Sequence, residues 1–524
     1  MQEYSSVVVA VAFAALVVAL TALARRLPVP TPIIQVAAGL LIGLLAGVEI
    51  PQLEPDLVFF VFLPPALWAA AFFTSPRDFR ANLKPISRLA IGLVLVTSVA
   101  VAMAARSLLP GIPWAVAIAL GAIVSPPDAV AAAAIVSRLP VPRRVVAILE
   151  GESLVNDASA LILYRTAVAA AITGRFSWGE SVVRFFIDAG VGTLVGLLVG
   201  WLVIRAARST KDALAETLLT LAGPYVAWVA AERLHVSAVL ACVAGGLYVG
   251  QHLSTAVGPT SRLQTRSIWD LLIFLLNAMI FLLLGAQFIA LLRQVPVGSL
   301  GTVLRSGVIV GVVVIAVRLI WVPIVTELPR LMTRNARRRD PLPDRRAAFL
   351  IGWTSMRGIV SLASALALPV ALADGTPFPY RTEITVITMC VIMMTLVVQG
   401  LTLAPIIRAF GFTPEQTHVE EERLARLEAT RRGAEALEDM SREPWADSRD
   451  VEWLRAELSD RLRLREHHGG NPDGRRRMRA GMISAERRML VRLRNEGAIS
   501  DEVLRELEQE LDLEAVRVGI GDAR

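Results

Sequence analysis

Residues 151–163 read GESLVNDASALIL, which places Glu152, Ser153, Asn156 and Asp157 inside an otherwise oily run. Helical spacing sorts them into two adjacent rows, Ser153 with Asp157 and Glu152 with Asn156, each pair four residues apart. The Asp157 carboxylate and the Ser153 hydroxyl are hard oxygen donors of the kind a small monovalent cation takes. A second oxygen source lies upstream in SPPDAVA, where Pro126 and Pro127 cannot donate to the carbonyls of Ala122 and Ile123, and Asp128 adds another carboxylate. Burial favours a protonated carboxyl and a neighbouring cation favours the carboxylate, so Asp157 can trade a proton for a metal ion. The alternative for Asp128 and Asp157 is an ion pair or hydrogen-bonded contact that only fixes helix packing.

Two arginines complete the set. Arg318, in VVVIAVRLIWVPIV, is the one basic residue deep in its apolar run and must find a partner or snorkel. A Glu152–Arg318 pair neutralises both groups; the alternative is that Glu152 handles the ion directly. Arg357, in GWTSMRGIVS, either compensates the exposed carbonyl ends of a broken helix or makes an ordinary buried salt bridge. Asp188, Glu216, Asp270 and Arg184 fall near the ends of apolar runs, where solvation suffices, and are assigned no role. His235, His252 and His418 lie at such ends or beyond, and His467 and His468 precede the loop-like GGNPDGRRR without further ligand spacing. Cys242 and Cys390 sit in apolar stretches, so neither a disulfide framework nor a cysteine metal site is expected, and no cofactor is called for.

The elements that position these groups are membrane helices. Of 524 residues, 55% are hydrophobic and only 19% charged, a balance foreign to a soluble chain of this length. An acidic residue at mid-bilayer costs roughly 2.5–3.5 kcal/mol, so acids there default to function. About thirteen runs are long enough to cross the hydrocarbon as helix: 4–24, 30–49, 56–74, 88–108, 114–137, 145–170, 182–204, 214–231, 235–253, 268–292, 302–327, 347–372 and 383–408. The first lacks a basic leader and runs into Arg25 and Arg26, so it reads as a retained span. Alternate connectors carry the basic residues, among them Arg77, Arg80 and Lys84; Arg138, Arg143 and Arg144; Arg205, Arg208 and Lys211; and the cluster from Arg330 to Arg346. Arg175, Arg233, Arg293 and Arg381 are the scattered exceptions. The positive-inside rule then puts the N-terminus outside and the C-terminal tail in the cytoplasm. The formal charge of +7 comes from arginines flanking apolar runs, which argues against nucleic acid as a partner.

On this count the first and eighth spans run in opposite directions, so two six-helix halves around one linker span form inverted repeats. The fifth and twelfth spans correspond, and each carries an interruption with a charge in it, at 123–131 and 352–361. The fold expected is an all-α polytopic membrane protein whose two inverted repeats contribute crossed broken helices, followed by a cytoplasmic helical tail.

The chain resembles the bacterial sodium/proton antiporters of the monovalent cation:proton antiporter-1 family, relatives of the sodium/proton exchangers. The matching motifs are FLPPALWAAAF, SPPDAVAAAAIV, LEGESLVNDASALILYR, the arginine of AVRLIWV and SMRGIVSLASALALP. The resemblance implies that Asp157 is the ion and proton carrier and that Asn156 completes the family's Asn-Asp pair. It implies further that Ser153, Glu152 and Asp128 belong to the cation-binding site, and that Arg318 and Arg357 are the two membrane-embedded arginines. It also implies a homodimer in the plasma membrane, with a core domain moving against a dimerisation domain. Two departures matter: Ala69 stands where many relatives have an acid after the LPP segment, and Pro127 replaces a threonine, so any ligand at 127 is its backbone carbonyl. The neutral Asn156 before Asp157 points to electroneutral exchange.

Residues 1–411 then form the antiporter domain, and the charged 412–524 the tail, in which apolar positions recur at three and four as in short amphipathic helices. That tail is either regulatory, a dimer contact, or a solvated appendage. Sodium is the leading substrate; potassium or lithium on the same fold, or a cation channel, are the alternatives. An intramembrane aspartyl protease would need a GxGD-type context, and the two acids stand instead in PPD and ND.

Overall fold

The computed structural model describes residues 2–27, 29–45, 55–136, 139–174, 178–210, 212–332, 345–372, 375–412, 416–466, 472–496, 498 and 500–518. It divides into two compact units, Met1–Pro414 and Glu415–Arg524. Arg138, Arg175, Lys211, His467, His468 and the part of the basic cluster at 333–344 lie outside the described residues.

The first unit is helical throughout, with one isolated β-bridge between Ala371 and Pro377 among the described residues. Its helices are α1 (Gln2–Arg26), α2 (Thr31–Leu44), α3 (Pro55–Val61), α4 (Leu63–Phe73), α5 (Pro76–Ala81), α6 (Leu83–Ser87) and, after a wider π-type turn at Arg88–Leu93, α7 (Val94–Leu108). Then follow α8 (Trp114–Val124), α9 (Ala129–Val136), α10 (Arg143–Thr173), α11 (Trp178–Ser209), α12 (Ala213–Arg233), α13 (Ala238–Ala256), α14 (Pro259–Leu292) and α15 (Val297–Met332). The unit closes with α16 (Arg345–Trp353), α17 (Ile359–Leu366) and α18 (Arg381–Phe410).

Among the described residues, length and composition alone identify six helical stretches able to cross a membrane, and four shorter apolar helices accompany them. This is a multi-pass membrane protein; the count of thirteen crossings is not reproduced by those criteria, for local reasons. α10 carries Glu150, Glu152, Asn156, Asp157 and Arg165, which lower its apolarity. The expected span at 347–372 is two short helices separated by Thr354–Gly358, and the one at 114–137 breaks over Ser125–Asp128. The expected span at 56–74 is divided at Phe62, where the paired prolines Pro64 and Pro65 occupy the first turn of α4.

Small residues set the packing, as they do where lipid removes the hydrophobic drive between helices. α2 and α14 meet so closely at Gly39 and Gly285 that a Cβ on either would collide with the facing backbone, at Leu282 and Val36 respectively. One apolar core joins α7, α8, α10, α15, α16 and α18 around Leu120, Val310 and Leu350. A second gathers α4, α11, α12 and α13 around the fully buried Trp68. α10 contributes to both, through Tyr164 to the first and Leu154 and Ala158 to the second.

The second unit comprises α19 (Gln416–Met440), α20 (Ser448–Glu466), α21 (Pro472–Asn495) and α22 (Asp501–Val518). These are the amphipathic helices the three-and-four spacing predicts. The Arg455 guanidinium donates to both Glu438 carboxylate oxygens, at 2.8 and 3.0 Å, tying α19 to α20, and Arg479 donates to Glu514 at 2.8 Å between α21 and α22.

Candidate functional site

The two interruptions meet. The Asp128 backbone N–H donates to the Met356 carbonyl at 2.7 Å, so the gap between α8 and α9 lies against the gap between α16 and α17. Four half-helices therefore end or begin around one point, and their unpaired backbone groups need partners.

Arginines serve the two carbonyl ends. Arg357 donates through Nε to Val124 O at 2.9 Å and through Nη2 to Ser125 O at 3.1 Å, closing the end of α8. Its Nη1 reaches the carbonyl and hydroxyl of Ser355, and its own backbone N–H donates to Thr395 Oγ1 at 3.1 Å. Arg318 donates through Nε to Ile351 O at 3.1 Å, in the last turn of α16. Its remaining nitrogens form a fork on Glu152, Nη2 to Oε2 at 2.7 Å and Nη1 to Oε1. Arg318, Arg357 and Glu152 are all at most 1% exposed, so each charge must be matched inside the protein.

The amino ends attract the opposite sign. Asp128 directly precedes α9, and its carboxylate lies against Gly358, which precedes α17. A carboxylate at two helix N-termini is electrostatically favoured, which adds a structural reason for Asp128 to the chemical one. Any side chain at Gly358 would overlap the Asp128 carboxyl. Gly358→Ala is therefore expected to raise the apparent KM for the transported cation by about ten- to a hundredfold through displacement of Asp128. Gly352→Ala, whose added carbon is tight only against the end of the Leu319 side chain at 3.3 Å and otherwise makes ordinary contacts at 3.7 Å or more, should leave the KM of reconstituted protein unchanged.

On α10, Asn156 is fully buried and donates through Nδ2 to Pro127 O at 3.3 Å, which fixes the helix to the first break. Its Oδ1 is buried without a hydrogen-bond partner among the described residues. Asp157 is buried as well, close enough to Asp128 for the two carboxyls to repel, and no described residue donates a hydrogen bond to it. Ser153, one turn earlier, is half-buried.

The arrangement narrows the oxygens available to a cation. Most carbonyls around the break are taken by the protein: Ala122 O, freed by Pro126, accepts from Ser125 Oγ at 3.0 Å, Val124 O and Ser125 O accept from Arg357, and Pro127 O from Asn156. A carbonyl keeps a second lone pair, so Pro127 O can still face an ion. The structure thus brings Asp157, Asp128, Asn156 and Pro127 together, with Ser153 on the Asp157 row and the Glu152–Arg318 pair one face away. The bonds from Arg318 to Ile351 and from Asn156 to Pro127 were not expected from sequence.

One expectation is corrected. Glu216 is not solvated at a span end: it is 5% exposed in the first turn of α12, where the helix N-terminus favours its charge. Ala69, at the position where an acid was considered, is buried beside Trp68.

The family model for the transmembrane sodium/hydrogen exchangers matches residues 12–409, the whole stretch that holds the crossed breaks and α10. The chain belongs to the sodium/hydrogen exchanger family. This exchanger-family chain is 35% identical, over 98% of its own length and 96% of the other's, to a protein named as an uncharacterised Na(+)/H(+) exchanger of Mycobacterium bovis. It is 32% identical, over 95% of its length and 76% of the other's, to a sodium, potassium, lithium and rubidium/H(+) antiporter of Bacillus subtilis. Among solved structures it resembles the sodium proton antiporter MjNhaP1 from Methanocaldococcus jannaschii at pH 8, with a TM-score of 0.60 and 18% identity over 78% of this chain and 99% of that one. The family and the fold are those of transporters.

Proposed function

We propose that the protein exchanges a monovalent cation, sodium foremost, for protons across the plasma membrane, and so serves pH and sodium homeostasis. The observation that carries the reading is the buried Asp157 carboxylate, unclaimed by any described hydrogen-bond donor and set beside Asp128 where two broken helices cross. The mutual repulsion of two carboxyls falls when either a proton or a cation arrives, so either one meets the same electrostatic need. Competition for one group couples the two fluxes. Asp157 is the carrier; Ser153, Asp128 and the Pro127 carbonyl supply further oxygens; Arg318 and Arg357 compensate the carbonyl ends of α16 and α8. No cofactor enters this scheme.

Orientation follows the basic connectors, with the N-terminus outside and the helical tail in the cytoplasm, and the working unit is a homodimer. The relatives' names range from sodium alone to four alkali cations, and oxygen ligands suit all of these. The test is dye-reported proton movement in proteoliposomes on addition of sodium, potassium or lithium. Alkalinisation of the vesicle lumen on addition of sodium outside, as protons leave in exchange, supports the reading, and absence of proton movement with every cation overturns it. A channel would pass cations without driving protons.

Charge counting gives a further expectation. Asn156 is neutral, so one carboxyl, Asp157, alternates between proton and cation, and each half-cycle carries the same net charge. Exchange should then be electroneutral. Imposing potassium-valinomycin voltages on the proteoliposomes should leave both the rate and the end point unchanged; a rate that follows voltage would show a second charge in the cycle.

A further inference from the structure

A cavity of about 1130 Å³ opens at the end of α10 remote from Arg143 and Arg144. Its α10 wall includes Ala158, Leu161 and Arg165, spaced three and four as one helix face, so its inner end lies at the level of Asp157, about 100° round the helix from that residue, and it turns polar outward. The opposite wall is built from α11 and from the corner between α12 and α13. A second cavity, of about 680 Å³, lies on the Phe59 and Trp228 side, and Leu161, Arg165 and Glu232 line both.

Between the two, among the described residues, stands one ion pair. Arg165 Nη2 lies 3.5 Å from Glu232 Oε1, joining α10, the helix of Asp157, to α12. Both side chains are about half exposed, at 54% and 50%, so the pair contributes little to stability, as solvated pairs generally do. Its position is what matters. Eight residues separate Arg165 from Asp157, about 12 Å along the helix. Any cation that enters by this route passes a fixed guanidinium on the way to its carboxylate.

Of the other ionisable side chains in the larger cavity, Arg184 and Asp188, one turn apart on α11, approach to 3.9 Å and nearly cancel, and His235 lies at the corner after α12. Glu232 therefore decides whether the wall presents a neutral or a positive face to an entering cation. We propose that the larger cavity is the vestibule by which a hydrated monovalent cation reaches Asp157 from this face, and that Glu232 keeps it passable by neutralising Arg165. The proposal rests on the antiport reading above. An uncompensated guanidinium within a Debye length of the path depletes cations near it by about three- to fivefold. The same depletion is absent at the other face, more than a Debye length away across the protein.

The experiment measures the sodium dependence of exchange from each face of proteoliposomes in which the protein's orientation has been determined. Glu232→Gln should raise the apparent KM about three- to fivefold for sodium supplied at the vestibule face. It should leave kcat and the KM from the opposite face unchanged, and the increase should shrink at high ionic strength. Adding Arg165→Ala to Glu232→Gln should restore the KM. An unchanged KM from that face, an equal change from both faces, or failure of Arg165→Ala to restore it overturns the proposal. Absence of exchange in the unsubstituted protein would instead count against the antiport reading itself.

Discussion

Asp157→Asn is expected to abolish cation-driven proton exchange, by a hundredfold or more in initial rate, while the protein still folds and extracts as a single species. The asymmetry follows from what surrounds the group. Burial of an ionised carboxyl is tolerated in a folded protein when partners neutralise it, yet the charge that bears on Asp157 is that of another carboxyl, Asp128. An amide of the same shape removes that repulsion and should leave the detergent-solubilised melting temperature equal or higher. It also removes the one titratable atom that both substrates require, because an amide neither gives up a proton at neutral pH nor offers a cation a full negative charge. A substitution that stabilises and inactivates is the signature of a group kept for function at the expense of stability. Dye-reported proton movement alongside a thermal melt measures both halves, and normal exchange by the variant would remove Asp157 from the mechanism.

How far the site is legible in the chain depends on the distance over which each contact acts. Ser153 and Asp157 share a row because four residues of helix put them there, and GESLVNDASALIL is enough to see it. The need of Arg318 for a partner is equally plain, since a guanidinium in VVVIAVRLIWV cannot be left alone. What escapes the sequence is the crossing itself. Arg357 and Val124 are 233 residues apart, and which arginine serves which carbonyl depends on two interruptions meeting in space. The bond from Arg318 to Ile351 is of the same kind: Arg318 looks like half of an ion pair, and only the break after α16 shows that it also closes a helix end. Pro126 and Pro127 announce a break, but that Ser125 takes the freed Ala122 carbonyl while Arg357 and Asn156 take others beside it is not revealed by periodicity. Glu216 misleads for the reverse reason. The basic residues just before it look like an interface, and the burial of α12 against its neighbours is a tertiary property.

Glu152→Gln should be the most destabilising single change in the site, by about 3–5 kcal/mol, because it leaves the Arg318 guanidinium buried with two of its three nitrogens facing a neutral amide. Lower yield and a melting temperature reduced by several degrees are the expected readouts in detergent. Replacing both residues by apolar ones of similar volume, Glu152→Leu with Arg318→Met, removes the unmatched charge and should recover part of that loss. Full recovery is not expected, since the Nε bond to Ile351 O disappears with Arg318 and leaves a carbonyl of the α16 end buried without its donor. The double variant also separates the two roles open to Glu152. Its carboxylate oxygens are both engaged by Arg318, and the proposed scheme gives the cation to Asp157 rather than to Glu152. Double-variant protein that folds should therefore exchange with a sodium KM within about threefold of the unsubstituted chain, set against the site's full carboxylate complement. A folded double variant whose KM rises tenfold or more would place Glu152 among the ion's ligands, and the fork on Arg318 would then describe only one state of the transport cycle.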